Sequence, residues 1–446
     1  LFEKVKVEVR PIESYKVPLN ILKWLWLATL AAAFFGPLLA FSAWPNFFAY
    51  KILFTLHLLL FSILIAAKKV KVSLSPGVER YYVFFVLWFG WAVLSLLWGD
   101  NRMDGLSNIY YLFTGLCLIG FTPVYLNEND LKIPLFILIA VYSVVLAVGL
   151  WEVKTGQHLI TAGFVFNSKV PRGIFKNPND LATYLVLYLP LLYVTARYCL
   201  RRVITAPLAV ILVVLMGTGA FLVVNTGSRA NMLSLALAAA AAAVIYLAQG
   251  RLKALRNMLV VISMLIAIYI GAAAVNPKIN YWSSRQYRIA KHHLVSLEYV
   301  GGESSARMIL FKNSLYELNR HSLMGVGAGN AEEHMKKYRS DNFILLALHN
   351  WWLEILINYG FFILILYLAF YFKLLSDLFM VAVRAAPGLV KVLAESSFIA
   401  LVAFPIAAVS SSSLMYARFM WILFGIALCS VHLYYEKNSE KEVGGS

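Results

Sequence analysis

Runs of some 18 or more apolar residues recur along this chain, each long enough to cross the ~30 Å hydrocarbon core of a bilayer as a helix. Inside hydrocarbon every backbone N–H and C=O must find its partner within the protein, so only helices and closed barrels span. The stretches Leu208–Val224 and Leu233–Leu247 contain no charge and no alternation of polar and apolar positions. A transmembrane barrel would show that alternation in short segments. The sequence therefore reads as an all-α polytopic membrane protein. Its composition agrees, since only 14% of the residues are charged, against about 25% in ordinary soluble domains.

About twelve spans are expected, at 20–43, 47–67, 81–98, 106–126, 134–152, 181–197, 205–224, 231–248, 258–275, 348–371, 396–413 and 417–435. Lys4, Lys6, Arg10 and Lys16 precede the first span, and alternate short loops carry Lys68, Lys69, Lys71 and Arg80, then Arg197, Arg201 and Arg202, then Arg251, Lys253 and Arg256. The positive-inside bias puts all of these in the cytoplasm, with both termini. Residues 1–275 are thus spans one to nine with short loops, 276–347 a helical loop on the outer face, 348–435 spans ten to twelve, and 436–446 a cytoplasmic tail. Its ending, Gly444-Gly445-Ser446, reads as an appended linker, and no cleavable signal peptide is expected.

The outer face receives the loop Val153–Asp180, the turn Asn225–Asn231 and the polar stretch Asn276–Leu348, with its Arg285, Arg288, Arg307 and Arg320. In that stretch Met308, Phe311, Leu315 and Leu318 recur at helical spacing. Gly325-Val326-Gly327-Ala328-Gly329-Asn330 is a glycine-rich turn. Ala331–Arg339 reads as a short helix with acids first and bases last, matching its dipole. A folded helical cap is expected.

Several classes of function are set aside. The net charge of +17 is scattered among spans rather than gathered in a soluble domain, so nucleic acid is not an expected partner. Cys117, Cys199 and Cys429 are far apart and form neither a disulfide framework nor a metal spacing. There is no Walker A, and Gly325–Gly329 lacks the strand–turn–helix setting of a dinucleotide fold. Glu332-Glu333-His334 and His292-His293 lack metal spacing, so no metal is expected. Lys51, His57 and Glu354 are the main titratable residues within spans, few for an ion-coupled transporter.

The candidates for chemistry gather on the outer face. His349 opens the tenth span; Gly360, eleven residues on, would share its helix face and let another helix approach beneath it. His349 is either a functional histidine or an interfacial one beside Trp351 and Trp352. Arg229, in the tight turn Gly227-Ser228-Arg229, either snorkels or grips an anion through its guanidinium fork. Arg307 begins the cap helix, either solvated or closing over the same anion. Arg172 and Lys176, before the sixth span, are solvated loop charges or add positive potential to the same cavity; Asn179 or Asp180 is the expected helix cap. Glu354 is a weak candidate partner for His349.

Taken together, Phe175-Lys176-Asn177-Pro178-Asn179-Asp180-Leu181-Ala182, Gly227-Ser228-Arg229, Gly325–Asn330 and His349-Asn350 with Gly360 resemble the bacterial O-antigen ligase and polymerase superfamily. Where the family pattern often continues to a second glycine, this chain has Ile363. The resemblance implies a GT-C-like glycosyltransferase of the bacterial inner membrane, its active site facing the periplasm and its donor an undecaprenyl-diphosphate-linked glycan. The acceptor would be lipid A–core oligosaccharide in a ligase, or a lipid-linked repeat unit in a polymerase. A lipid-linked oligosaccharide transporter is the reading from another class. Matched by motif and order, the family's functional histidine falls on His349, the implied general base. Its arginines fall on Arg229 and Arg307, the implied stabilisers of the leaving diphosphate. Arg172 and Lys176 would assist binding, and neither cofactor nor metal is implied.

Overall fold

The computed structural model describes residues 16–35, 40–41, 44–70, 75, 77–159, 170–200, 206–253, 256, 258–259, 263, 303–338, 347–411 and 413–444. Its helices are α1 (Lys16–Phe35), α2 (Ala49–Ala66), α3 (Glu79–Leu94), α4 (Arg102–Tyr125), α5 (Lys132–Thr155), α6 (Pro178–Cys199), α7 (Ala206–Asn225), α8 (Arg229–Ala248), α9 (Glu303–Arg320), α10 (Ala331–Lys336), α11 (Trp351–Arg384), α12 (Leu389–Ala407) and α13 (Arg418–Gly444). A two-stranded antiparallel hairpin, β1 (Ala40–Phe41) and β2 (Trp44–Phe48), joins α1 to α2. Ten helices among the described residues are long and apolar enough to cross a membrane, and α1 adds the shorter apolar run Leu19–Phe35. The protein is a polytopic helical membrane protein. The expected ninth span, 258–275, lies almost wholly outside the described residues. So do Lys4, Lys6, Arg10, Lys71, Arg201, Arg202, Arg285, Arg288 and His292-His293.

α6, α12 and α13 are the most enclosed spans. α12 packs on α6, α8, α11 and α13, and α13 packs along α4. Pro405 in α12 has no N–H for the carbonyl of Leu401, four residues back. The Tyr371 hydroxyl of α11 donates to that carbonyl instead, and Trp352 Nε1 donates to the Pro405 carbonyl at 3.1 Å. The break in one helix ladder thus becomes the tie to its neighbour.

The eleventh span begins and ends earlier than the expected 396–413. Lys391 and Glu395 look like loop residues by hydropathy, yet both are buried in α12. Lys391 Nζ donates to the carbonyls of Val383 (3.0 Å) and Ala385 (2.8 Å) at the end of α11. Glu395 pairs with Arg197 at the end of α6 and accepts from Gln249 Nε2 (2.8 Å), just past α8. A buried charge persists in a helix only when partnered in this way.

α11 also departs from the expected straight helix. Gly360 sits inside it at φ 84°, ψ 179°, so Trp351–Tyr359 and Phe361–Arg384 are two helices across a kink. The kink frees the Ile357 carbonyl, which accepts from Val326 N at 2.8 Å, and the Phe361 N–H, which donates to the Leu323 carbonyl at 2.9 Å. Both partners lie in the connection between α9 and α10, Val326 within its glycine-rich turn. The expected helix beneath Gly360 is therefore this turn. It also meets the α3–α4 connection, where Ala328 N donates to Ser95 Oγ (2.9 Å) and Asn101 N to Asn330 Oδ1 (2.6 Å). A small apolar core, with Leu310, Leu318, Val326 and Met335 on Leu353 and Ile357, completes a folded cap.

Candidate functional site

Four chain segments that sequence separates meet at one end of the bundle, around the last turn of α12. The first is the start of α6. Asn177 caps it by accepting from Asp180 N (2.9 Å), with Pro178 at the first helical position, so the cap is neither Asn179 nor Asp180. One turn on, Thr183 Oγ1 donates to the Ala407 carbonyl at 3.3 Å, and Asp180 accepts from Ser411 Oγ.

The second is the α7–α8 corner. Gly227 turns the chain at φ 69°, Thr226 and Ser228 are buried, and α8 starts at Arg229 with its side chain exposed. The Ser228 side chain makes no capping hydrogen bond. The first-turn amides of α8 and the Arg229 guanidinium thus bring positive charge to one place, a setting that favours an anion. Asn231, fully buried, anchors this corner. Its Nδ2 lies 2.9 Å from Ser228 Oγ, 3.2 Å from Thr183 Oγ1 and 2.8 Å from Ser410 Oγ.

The third is the start of α11. Asn350 is its cap, its side chain accepting from Trp352 N and Leu353 N at 3.1 and 3.3 Å. Trp351 N donates to the Ala408 carbonyl at 3.1 Å. His349 stands just outside the helix with φ 49°, left-handed backbone that a β-carbon disfavours by about 1–2 kcal/mol. Its direction is set by that backbone and not by a helix face shared with Gly360. Glu354, one turn into α11, is buried and accepts from Ser413 Oγ at 2.6 Å. The fourth segment, Ala407–Ser413, is the hub that joins the other three.

Beside the hub, a cavity of about 120 Å³ is lined by Asp104, Glu332, Glu333, Glu354, Asn358, Ser413, Tyr416 and Leu348, the last adjacent to His349. Partial desolvation at the cavity wall, with the Asp104 charge added, raises the Glu332 carboxyl above the usual range, although the residue as a whole is exposed. The lining is rich in hydrogen-bond acceptors and suits a ligand that presents hydroxyl groups.

The expected site residues fare differently. The segments that carry Arg229 and His349 are joined through the hub, by Asn231 to Ser410 and by Trp351 N to the Ala408 carbonyl. Arg307 lies in α9, its side chain outside the described residues. Arg172 is buried: its N–H and that of Gly173 donate to Glu152 Oε2 at 2.7 and 2.6 Å, and its Nη2 to the Leu159 carbonyl at 3.2 Å. Lys176 is exposed on the same loop. Sequence reasoning missed Glu152, which organises that loop, and also Asn231, Thr183, Ser410 and Ser411. The four consecutive serines Ser410–Ser413 at the end of an apolar run were the available signal.

Residues 211–368, which hold Arg229, Arg307, His349 and Gly360, match the O-antigen ligase family. Over 370 residues the chain is 27% identical to the teichuronic acid biosynthesis protein TuaE of Bacillus subtilis (strain 168), covering 80% of this chain and 72% of that protein. These matches support a likeness to the O-antigen ligase superfamily, membrane proteins of polysaccharide-related glycosyl transfer.

Proposed function

We propose that the protein transfers a glycan from a polyprenyl diphosphate carrier of the undecaprenyl class to a hydroxyl of an acceptor sugar. The observation that carries this reading is the α12 hub, which ties the helix start bearing Arg229 to the segment bearing His349. The acceptor oxygen attacks the anomeric carbon as His349 takes its proton. The bond from that carbon to the diphosphate breaks, and its electron pair leaves with the diphosphate. Arg229, the first turn of α8 and Arg307 from the cap stabilise the growing negative charge. Attack opposite the leaving group inverts the anomeric centre. Arg172 shapes the loop before α6, and Lys176 adds long-range positive potential. The acceptor-rich cavity beside Leu348 suits the incoming sugar. The positive-inside pattern supports a site on the periplasmic face of the inner membrane.

The family match supports ligation to a lipid A–core oligosaccharide. The relative concerned with teichuronic acid biosynthesis supports a second reading, extension of a lipid-linked polysaccharide. Purified protein given a lipid-diphosphate glycan with and without lipid A–core separates them. Label on lipid A–core supports ligation, and a ladder on the carrier supports polymerisation. Neither product from a folded preparation sinks both. His349→Ala and Arg229→Ala are each expected to abolish transfer in protein that still folds.

A further inference from the structure

The cap holds a second cluster of titratable side chains. Glu317 lies in the last turn of α9, His321 directly follows that helix, and His334 reaches them from α10. Each offers a ligand atom within 4.8 Å of the others. Glu317 and His334 are buried at 0% and 1% exposure, so their arrangement is fixed by packing.

Glu317 sets the tautomer of both rings. His321 Nδ1 lies 2.8 Å from the Glu317 carbonyl oxygen, and His334 Nδ1 lies 2.6 Å from Glu317 Oε2. Both acceptors require Nδ1 to carry the proton, which leaves each Nε2 with an open lone pair. The other carboxylate oxygen of Glu317 is engaged by the Tyr338 hydroxyl. This is how metal-ligating histidines are usually supported, with the far ring nitrogen donating to a carboxylate or a carbonyl.

His334 Nε2 is buried and makes no hydrogen bond among the described residues, yet Asp100 Oδ2 lies 3.1 Å away. Two lone-pair donors that close repel each other unless a proton or a metal cation joins them. A cation is already drawn to this carboxylate: Lys337 Nζ lies 3.5 Å from Asp100 Oδ2. Lys337 is half exposed, so its ammonium can swing into solvent and give way. Arg320, at 3.7 Å from Glu317 Oε1, is the other nearby positive charge and is largely exposed.

We propose that His321 and His334, through their Nε2 atoms and with the carboxylate of Asp100, bind one divalent transition-metal ion of the zinc class, while Glu317 holds both rings from behind by their Nδ1–H groups. Two imidazoles with carboxylate oxygens are a borderline donor set that favours such ions over calcium or magnesium. Asp100 belongs to the α3–α4 connection, so the ion links both cap helices to the bundle. The readout is metal binding and not transfer, so its outcome stands apart from the transferase reading.

The test uses full-length protein in detergent, stripped with chelator and titrated with Co2+. We expect one saturable equivalent with visible ligand-field absorption, displaced by Zn2+, and slower proteolysis of the cap when metal is added. His321→Ala, at the partly exposed end of α9, is expected to lose that absorption while keeping the fold. Asp100→Asn removes a ligand and should weaken binding by at least the roughly 10–100-fold that loss of a supporting partner costs. A folded wild-type protein without saturable cobalt absorption overturns the proposal. So does a His321→Ala protein that binds like wild type.

Discussion

Gly325 and Gly360 meet backbone to backbone. A methyl group on Gly325 would lie 2.6 Å from Gly360 N and 2.8 Å from the Ile357 carbonyl oxygen. One on Gly360 would lie 2.4 Å from the Leu323 carbonyl oxygen. Both glycines hold positive φ, 85° and 84°. The cap is thus seated on the kink of α11, and each partner supplies the hydrogen bonds the other lost.

Gly360→Ala should therefore unseat the cap. Left-handed strain of roughly 1–2 kcal/mol and a backbone clash of similar size amount to about 2–4 kcal/mol. Hydrogen exchange at Val326 and Phe361, whose amides bridge the two segments, should accelerate markedly. Wild-type exchange at both positions would show that the contact carries no stability.

His349 offers a way to separate chemistry from architecture. Because its φ is 49°, His349→Gly relieves strain that His349→Ala retains, and should be more stable than the alanine variant by about 1 kcal/mol. If the imidazole is the base, both variants lose transfer alike. If the residue only shapes the approach to α11, the glycine variant keeps activity. A thermal melt paired with a transfer assay reads both quantities.

Asn231 predicts a loss of another kind. Its amide is shared among Ser228, Thr183 and Ser410 in a fully buried setting. Asn231→Ala leaves buried hydroxyl groups without their donor, at about 1–3 kcal/mol. The corner bearing Arg229 should lose its fixed direction, so transfer should fall at least tenfold while Arg229 itself is intact. Unchanged turnover in this variant would mean that the hub does not set the arginine.

These cases show what sequence could and could not reveal. The spans were legible because hydrocarbon leaves the backbone one solution, and an uncharged run such as Leu208–Val224 admits no other reading. The glycine-rich turn and the cap helices were legible from local signals at Gly325–Asn330 and Ser304–Leu318. The start of α12 was not, because Lys391 and Glu395 count as polar until their partners from α6, α8 and α11 are known. The hub was not, because Asn231 and Ser410 are neighbours only in space. The backbone of His349 was not, since a histidine before an asparagine cap is compatible with several values of φ.

The opposite end of the bundle supplies a control for stability without chemistry. Glu395 is 1% exposed and pairs with Arg197, whose guanidinium also stacks over Tyr246 at 4.5 Å. Arg197→Met leaves a carboxylate buried with less compensation, a change that typically costs about 3–5 kcal/mol. Gln249 Nε2 still donates to it, so the lower part of that range is expected. Replacing both partners, Arg197→Met with Glu395→Leu, removes the charge together with its counter-charge and should recover most of the loss. Because α6, α8, α11 and α12 all reach this end with the termini opposite the hub, the single variant should melt earlier yet keep its turnover per folded molecule. A double variant no more stable than Arg197→Met would mean that the stacked guanidinium, and not the ion pair, holds this end together.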